Sequence, residues 1–75
     1  MKRLLDCKRG EKVKVSKLNA AYDLKQRLIS FGMMKNAEVE VLEQAPGKKT
    51  IEVKVGKMRL ALRAEEAAQI EVEEI

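Results

Sequence analysis

The sequence predicts a mainly β chain: a small closed barrel of about five short strands, with one α-helix inserted after the first strand and a short helical turn before the last. Three observations carry this. Several short runs alternate apolar and charged residues with a period of two, the mark of a strand with one wet face. One run alone has helical spacing. Turn-forming residues (Gly10, Asn19, Gly32, Asn36, Pro46-Gly47 and Gly56) separate the runs at close intervals. Closing so small a sheet hides edges that would otherwise be open to other chains.

The first strand spans 11–18, where Val13 and Val15 alternate with Lys12, Lys14 and Ser16. The helix follows over 20–31. Leu24, Leu28 and Phe31 stand at i, i+4 and i+7 and share one face. Asp23 lies near the start, where the positive end of the helix dipole favours an acid. Gly32 ends the helix, because it reaches left-handed backbone angles without a Cβ clash. Lys35-Asn36 then marks a turn. A second strand runs over 37–44 with Ala37, Val39 and Val41 inward, and 45–49 is a loop around Pro46-Gly47. Ile51, Val53 and Val55 form the inner face of a third strand over 50–55. Gly56-Lys57 makes a hairpin turn. Met58, Leu60 and Leu62 are the inner face of a fourth strand over 58–63. The Ala- and Glu-rich stretch 64–69 allows one helical turn, and 70–73 alternates as a closing strand. The expected core is Val13, Val15, Leu28, Val39, Val41, Ile51, Val53, Leu60, Leu62, Ile70 and Val72.

A chain of 75 residues holds one domain, 1–75, with little depth for a catalytic cleft. Histidine is absent, which removes the commonest general base and the commonest metal ligand together. The single cysteine, Cys7, builds neither a disulfide nor a zinc site and reads as a bystander near the N-terminus. No cofactor is expected. The Glu-rich end offers a transition metal ion loose coordination at most. Nothing approaches the roughly 18 apolar residues of a membrane span, and Asp6 interrupts the basic N-terminus before any signal-peptide core, so a cytoplasmic protein is the simplest expectation. Charge is unevenly placed. All 16 Lys and Arg lie in the first 63 residues, with seven of the 12 acids, and the last 12 residues carry five Glu and no base. A basic body suits an acidic protein partner or a nucleic acid. Stacking readers of nucleic acid rely on exposed aromatics, however, and Tyr22 is the only one to spare.

Three segments taken in order are more specific. These are Arg27-Leu28 with Phe31-Gly32-Met33, then Ala45-Pro46-Gly47, then Ala61-Leu62-Arg63-Ala64-Glu65-Glu66-Ala67 with Ile70 and Val72 behind. In this order and spacing the chain resembles the FeoA family over nearly its whole length. The resemblance implies an SH3-like barrel in the cytosol. It implies a non-enzymatic accessory of ferrous iron transport that binds FeoB, a membrane transporter with a cytosolic G domain, and supports iron uptake. Similar domains end metal-dependent repressors, but no helix-turn-helix precedes this one, so a free-standing domain is expected. The family usually has Pro-Gly in the turn after the helix. Here Lys35-Asn36 replaces it, and Asn holds the same left-handed angle at some cost.

The partner surface is expected around the helix end: Arg27, Phe31, Met33 and Met34, flanked by Arg59 and Arg63. Methionine is flexible and common at adaptable contact surfaces, and two adjacent ones after a helix stop do not both turn inward easily. Arginine is the favoured charge at interface rims. The expected partner is thus the FeoB-like membrane GTPase transporter, without direct membrane insertion and with at most weak self-association. The alternative is a basic barrel that binds nucleic acid.

Overall fold

The computed structural model describes residues 2–44, 47 and 49–75. In chain order its elements are β1 (Lys2–Arg3), a 3₁₀ turn (Leu4–Asp6), β2 (Lys12–Leu18), α1 (Tyr22–Ser30), β3 (Glu38–Gln44), β4 (Thr50–Val55), β5 (Met58–Arg63), α2 (Ala64–Ala67) and β6 (Ile70–Glu74). The expected strands and both helical segments are present. The loop expected at Ala45-Pro46 falls mostly outside the described residues.

The sheet is antiparallel, in the order β1-β6-β2-β3-β4-β5. It has six strands, one more than expected, because Lys2 and Arg3 pair with Val72 and Glu71. Two register shifts, at Val15/Lys17 in β2 and at Val41/Glu43 in β3, put bulges where the strands must bend to curl the sheet. The ladder does not close on itself. β1 and β5 are its two ends, and α2 contacts both β5 and the 3₁₀ turn, so it plugs the gap between them.

Inward residues follow the period of two. Val13, Val15, Val39, Val41, Ile51, Val53, Leu62, Ile70 and Val72 are all buried, and Leu28 is the one fully buried side chain of α1. Three expectations on the inner face need correction. Leu60 is only half-buried, and Met58 at the hairpin tip is 47% exposed, because β5 is an end strand with no further strand beside it. Phe31 is 36% exposed and lies beyond the last helical residue, so it sits at the rim of the stripe it was expected to complete. Cys7 packs into the core rather than lying loose near the N-terminus. It is buried with Leu4 in the same core cluster, and that burial pushes its thiol pKa up.

The turn after α1 explains the residue at position 36. Ala37 N–H donates to the Met34 carbonyl at 2.9 Å, and Asn36 has φ 74°. A positive φ at the third residue of a four-residue turn is type II geometry, which wants Gly or Asn there. Asn36→Val should therefore cost about 1–2 kcal/mol, read as a lower denaturant midpoint, while Asn36→Gly should be neutral or slightly stabilising. Equal midpoints for Val and Gly would show that the turn does not hold this angle.

Candidate functional site

The end of α1 builds one wall of the site. Gly32 N–H donates to the Ile29 carbonyl and Met33 N–H to the Leu28 carbonyl, both at 2.9 Å, with Gly32 at φ +89°. This pair of bonds is a Schellman motif, which turns the chain back over the helix it ends. It brings the residue after the glycine against the helix's inner face, where Leu28 lies. Met33 is accordingly 0% exposed and belongs to the core, so its expected role as a partner contact is corrected. Phe31, before the turn, stays at the rim.

Strand β5 builds the opposite wall. Arg27 and Phe31 face Arg59–Arg63 across a surface groove of about 480 Å³, with Glu66 of α2 at one end. Four of the six expected residues, Arg27, Phe31, Arg59 and Arg63, thus line one depression. Met34 does not join them. It is 47% exposed beside a second groove, with Leu18 and Ile29 as apolar neighbours and Lys17, Lys25 and Lys35 around them. The burial of Met33 separates the two surfaces, since a chain that turns inward at 33 re-emerges on another side at 34.

Glu66 was not singled out as a site residue, yet it organises the groove. One carboxylate oxygen accepts a hydrogen bond from the Arg63 backbone N–H at 2.9 Å, which satisfies a donor at the start of α2. The other oxygen pairs with the Arg27 guanidinium and links the two walls. The spacing Arg63-Ala64-Glu65-Glu66 carried the signal, with an acid three residues into a helix start. Arg63 reaches Glu65 only at 4.0 Å, and both side chains are about three-quarters exposed, so that pair fixes little. Arg59 has no ion pair among the described residues. The groove therefore presents guanidinium groups over an apolar strip of Phe31, Leu60 and Ala61. That arrangement can bind carboxylates and apolar side chains together. Among the described residues, no three Cys, Asp or Glu side chains cluster as metal ligands do. Among the described residues, too, no helix is long and apolar enough to cross a membrane.

Known proteins share this sequence pattern and this fold. The FeoA domain family model matches residues 2–74. The chain belongs to the FeoA family. It is 38% identical over 69 residues to a Campylobacter jejuni protein named "Putative Fe(2+) transport protein A", covering 92% of this chain and 93% of that one. The solution structure of a Chlorobium tepidum FeoA protein matches with a TM-score of 0.93 at 31% identity, over 99% of this chain and 70% of that one. A zinc-complexed Stenotrophomonas maltophilia FeoA matches with a TM-score of 0.85 at 28% identity, over 97% and 91%. It is described as a procaryotic SH3 domain protein and offered as a ferrous iron transport activating factor. The mainly β, SH3-like architecture and the tie of the FeoA family to ferrous iron transport both follow.

Proposed function

We propose that this FeoA domain is a non-enzymatic accessory of ferrous iron uptake that works in the cytoplasm by binding the cytosolic part of a FeoB-type transporter. The groove between α1 and β5 is the binding surface. The observation that carries the proposal is the convergence of Arg27, Phe31, Arg59 and Arg63 on one depression, with Arg59 unpaired among the described residues. Guanidinium groups beside an exposed ring and a half-buried leucine make a rim and an anchor of the kind protein interfaces use. Binding chemistry suits these walls better than catalysis, which needs a nucleophile or base within hydrogen-bond reach of a substrate.

The test is capture of the transporter's purified cytosolic part by the purified chain. Arg59→Glu with Arg63→Glu should weaken capture by at least about tenfold, since charge contacts at an interface lose their attraction and gain repulsion on reversal. Lys49→Glu, an exposed residue outside the groove, should leave it unchanged. Equal loss from both variants would point to general charge attraction and sink the groove as the site. Salt-sensitive retention of the chain on nucleic acid, with no capture of the transporter, would favour the alternative reading.

A further inference from the structure

The groove has a feature that its side chains do not use. β5 pairs with β4 on one side only and ends the ladder, so its other side carries main-chain groups with no strand beside them. Which groups these are follows from the register. Val55 and Met58 close a two-residue hairpin whose first turn residue, Gly56, has φ +59°, and Ala64 N–H donates to the Lys49 carbonyl at 2.9 Å. In an antiparallel pair, residues that exchange hydrogen bonds alternate with residues that do not. Met58, Leu60 and Leu62 therefore point their N–H and C=O groups at β4. Arg59, Ala61 and Arg63 point theirs outward, into the groove. The Arg63 N–H is already held by Glu66. Among the described residues nothing holds the outward groups of Arg59 and Ala61.

We propose that the partner docks by adding a strand to β5: an extended segment of the transporter's cytosolic part, alternating acidic and apolar residues, laid along Arg59–Arg63. This rests on the reading above of the groove as the transporter's site. Main-chain bonds to Arg59 and Ala61 supply register, and the pockets on either side select side chains. The charge of the groove selects acids, through Arg59 and Arg63 on the strand and Arg27 across from it. Phe31 and the half-buried Leu60 receive the apolar residues between them.

A second copy of this chain is the other evident occupant, and the same arginines count against it. Two β5 strands paired antiparallel gather both copies' arginines on one face: paired about Ala61 they put Arg59 opposite Arg63, and paired about Leu60 they put each Arg59 diagonal to the other copy's Arg59 and Arg63. Like charges placed directly opposite destabilise a strand pair. Charged side chains on an end strand are a common means of keeping identical edges apart, and an acidic strand turns the same charges into attraction.

Amide hydrogen exchange on the full chain, free and saturated with the transporter's cytosolic part, tests this directly. In the free protein the Arg59 and Ala61 amides should exchange fast, while Leu60 and Leu62 are protected. In the complex, Arg59 and Ala61 should slow by at least about tenfold, as amides do when they enter a ladder. As a second measure, Ala61→Pro removes an outward N–H and leaves the β4 ladder whole, a position where an edge strand tolerates proline. It should weaken capture by about tenfold with the melting curve little changed. Unprotected Arg59 and Ala61 in a saturated complex that still depends on Arg59 and Arg63 would overturn strand addition and leave the groove reading standing. Capture that survives arginine reversal would overturn the groove reading, and the strand with it. Protection that grows with concentration in the protein alone, at dimer mass, would make the occupant a second copy and overturn the acidic partner strand.

Discussion

Met33→Asp is expected to abolish the cooperative thermal transition seen by circular dichroism, and Met34→Asp, one residue on, to leave it nearly unmoved. Met33 is fully buried in the core cluster, and Met34 is 47% exposed. A carboxylate at 33 would lose water on all sides with no cationic partner in the core. Burying an unpaired charge costs several kcal/mol even after relaxation. Losing the methionine's packing adds about 2–5 kcal/mol. Domains have roughly 5–15 kcal/mol in total, and one this small sits toward the lower end. At 34 the substitution is an ordinary surface change, within about 0.5 kcal/mol. A Met33→Asp protein that melts like its parent would mean that the Schellman turn does not bring this side chain inward. Any loss of partner binding by Met33→Asp thus reports unfolding, not a contact.

Leu28→Ala carries the second large effect. Leu28 is the only fully buried residue of α1, so the helix is held to the sheet chiefly through it. Truncation should cost about 2–5 kcal/mol. At about 4–8 °C per kcal/mol for a domain of this size, the midpoint should fall by roughly 10 °C or more. Leu24 is half-buried on the same face, and Leu24→Ala should cost clearly less. The comparison also reaches the groove, because Arg27 and Phe31 ride on the segment that Leu28 anchors. Leu28→Ala should lower transporter capture under conditions where the sheet is still folded. If the two leucine variants melted together, the anchor would have to lie elsewhere on α1.

The sheet was legible in the sequence because its two faces differ in water. Val13/Val15, Val39/Val41 and Ile51/Val53/Val55 alternate with Lys and Glu, and burial follows that pattern. The pattern weakens where a strand lies at the end of the ladder. Met58 and Leu60 read as inward, yet β5 has no further strand beside it, and only Leu62 is fully enclosed. Position within a sheet is a property of topology, which a local period cannot express. Residues 2–7 were illegible for a related reason. Two paired residues and one 3₁₀ turn are too short to show a period, and Leu4 and Cys7 are buried by tertiary contact alone.

The site divides along the same line. Arg27, Phe31, Arg59 and Arg63 share a groove, as their placement at the helix end and on the fourth expected strand implied. Gly32 was recognised as a helix stop, but a glycine stop also has a direction. Its two closing bonds return the next residue to the helix, and that geometry buried Met33 and sent Met34 to another surface. Glu66 had a visible capping pattern, while its pairing with Arg27, 39 residues away in sequence, needed the fold.

The place of β6 in the ladder bears on how the domain comes into being. β2, β3, β4 and β5 are neighbours in both sequence and space, whereas β6 lies between β1 and β2, and β1 pairs with no other strand. The four-strand meander forms from contacts between sequence neighbours, whereas β6 has to close the long loop from Leu18 to Ile70 before it pairs with β2. Without β6, β2 would have a bare edge, and Val13 and Val15 would lack the cover of Ile70 and Val72. A chain that had the meander without β6 would therefore show an open strand edge and exposed valines, the form most prone to sticking to its neighbours. One C-terminal segment covers both, because β6 pairs with β1 on one side and β2 on the other.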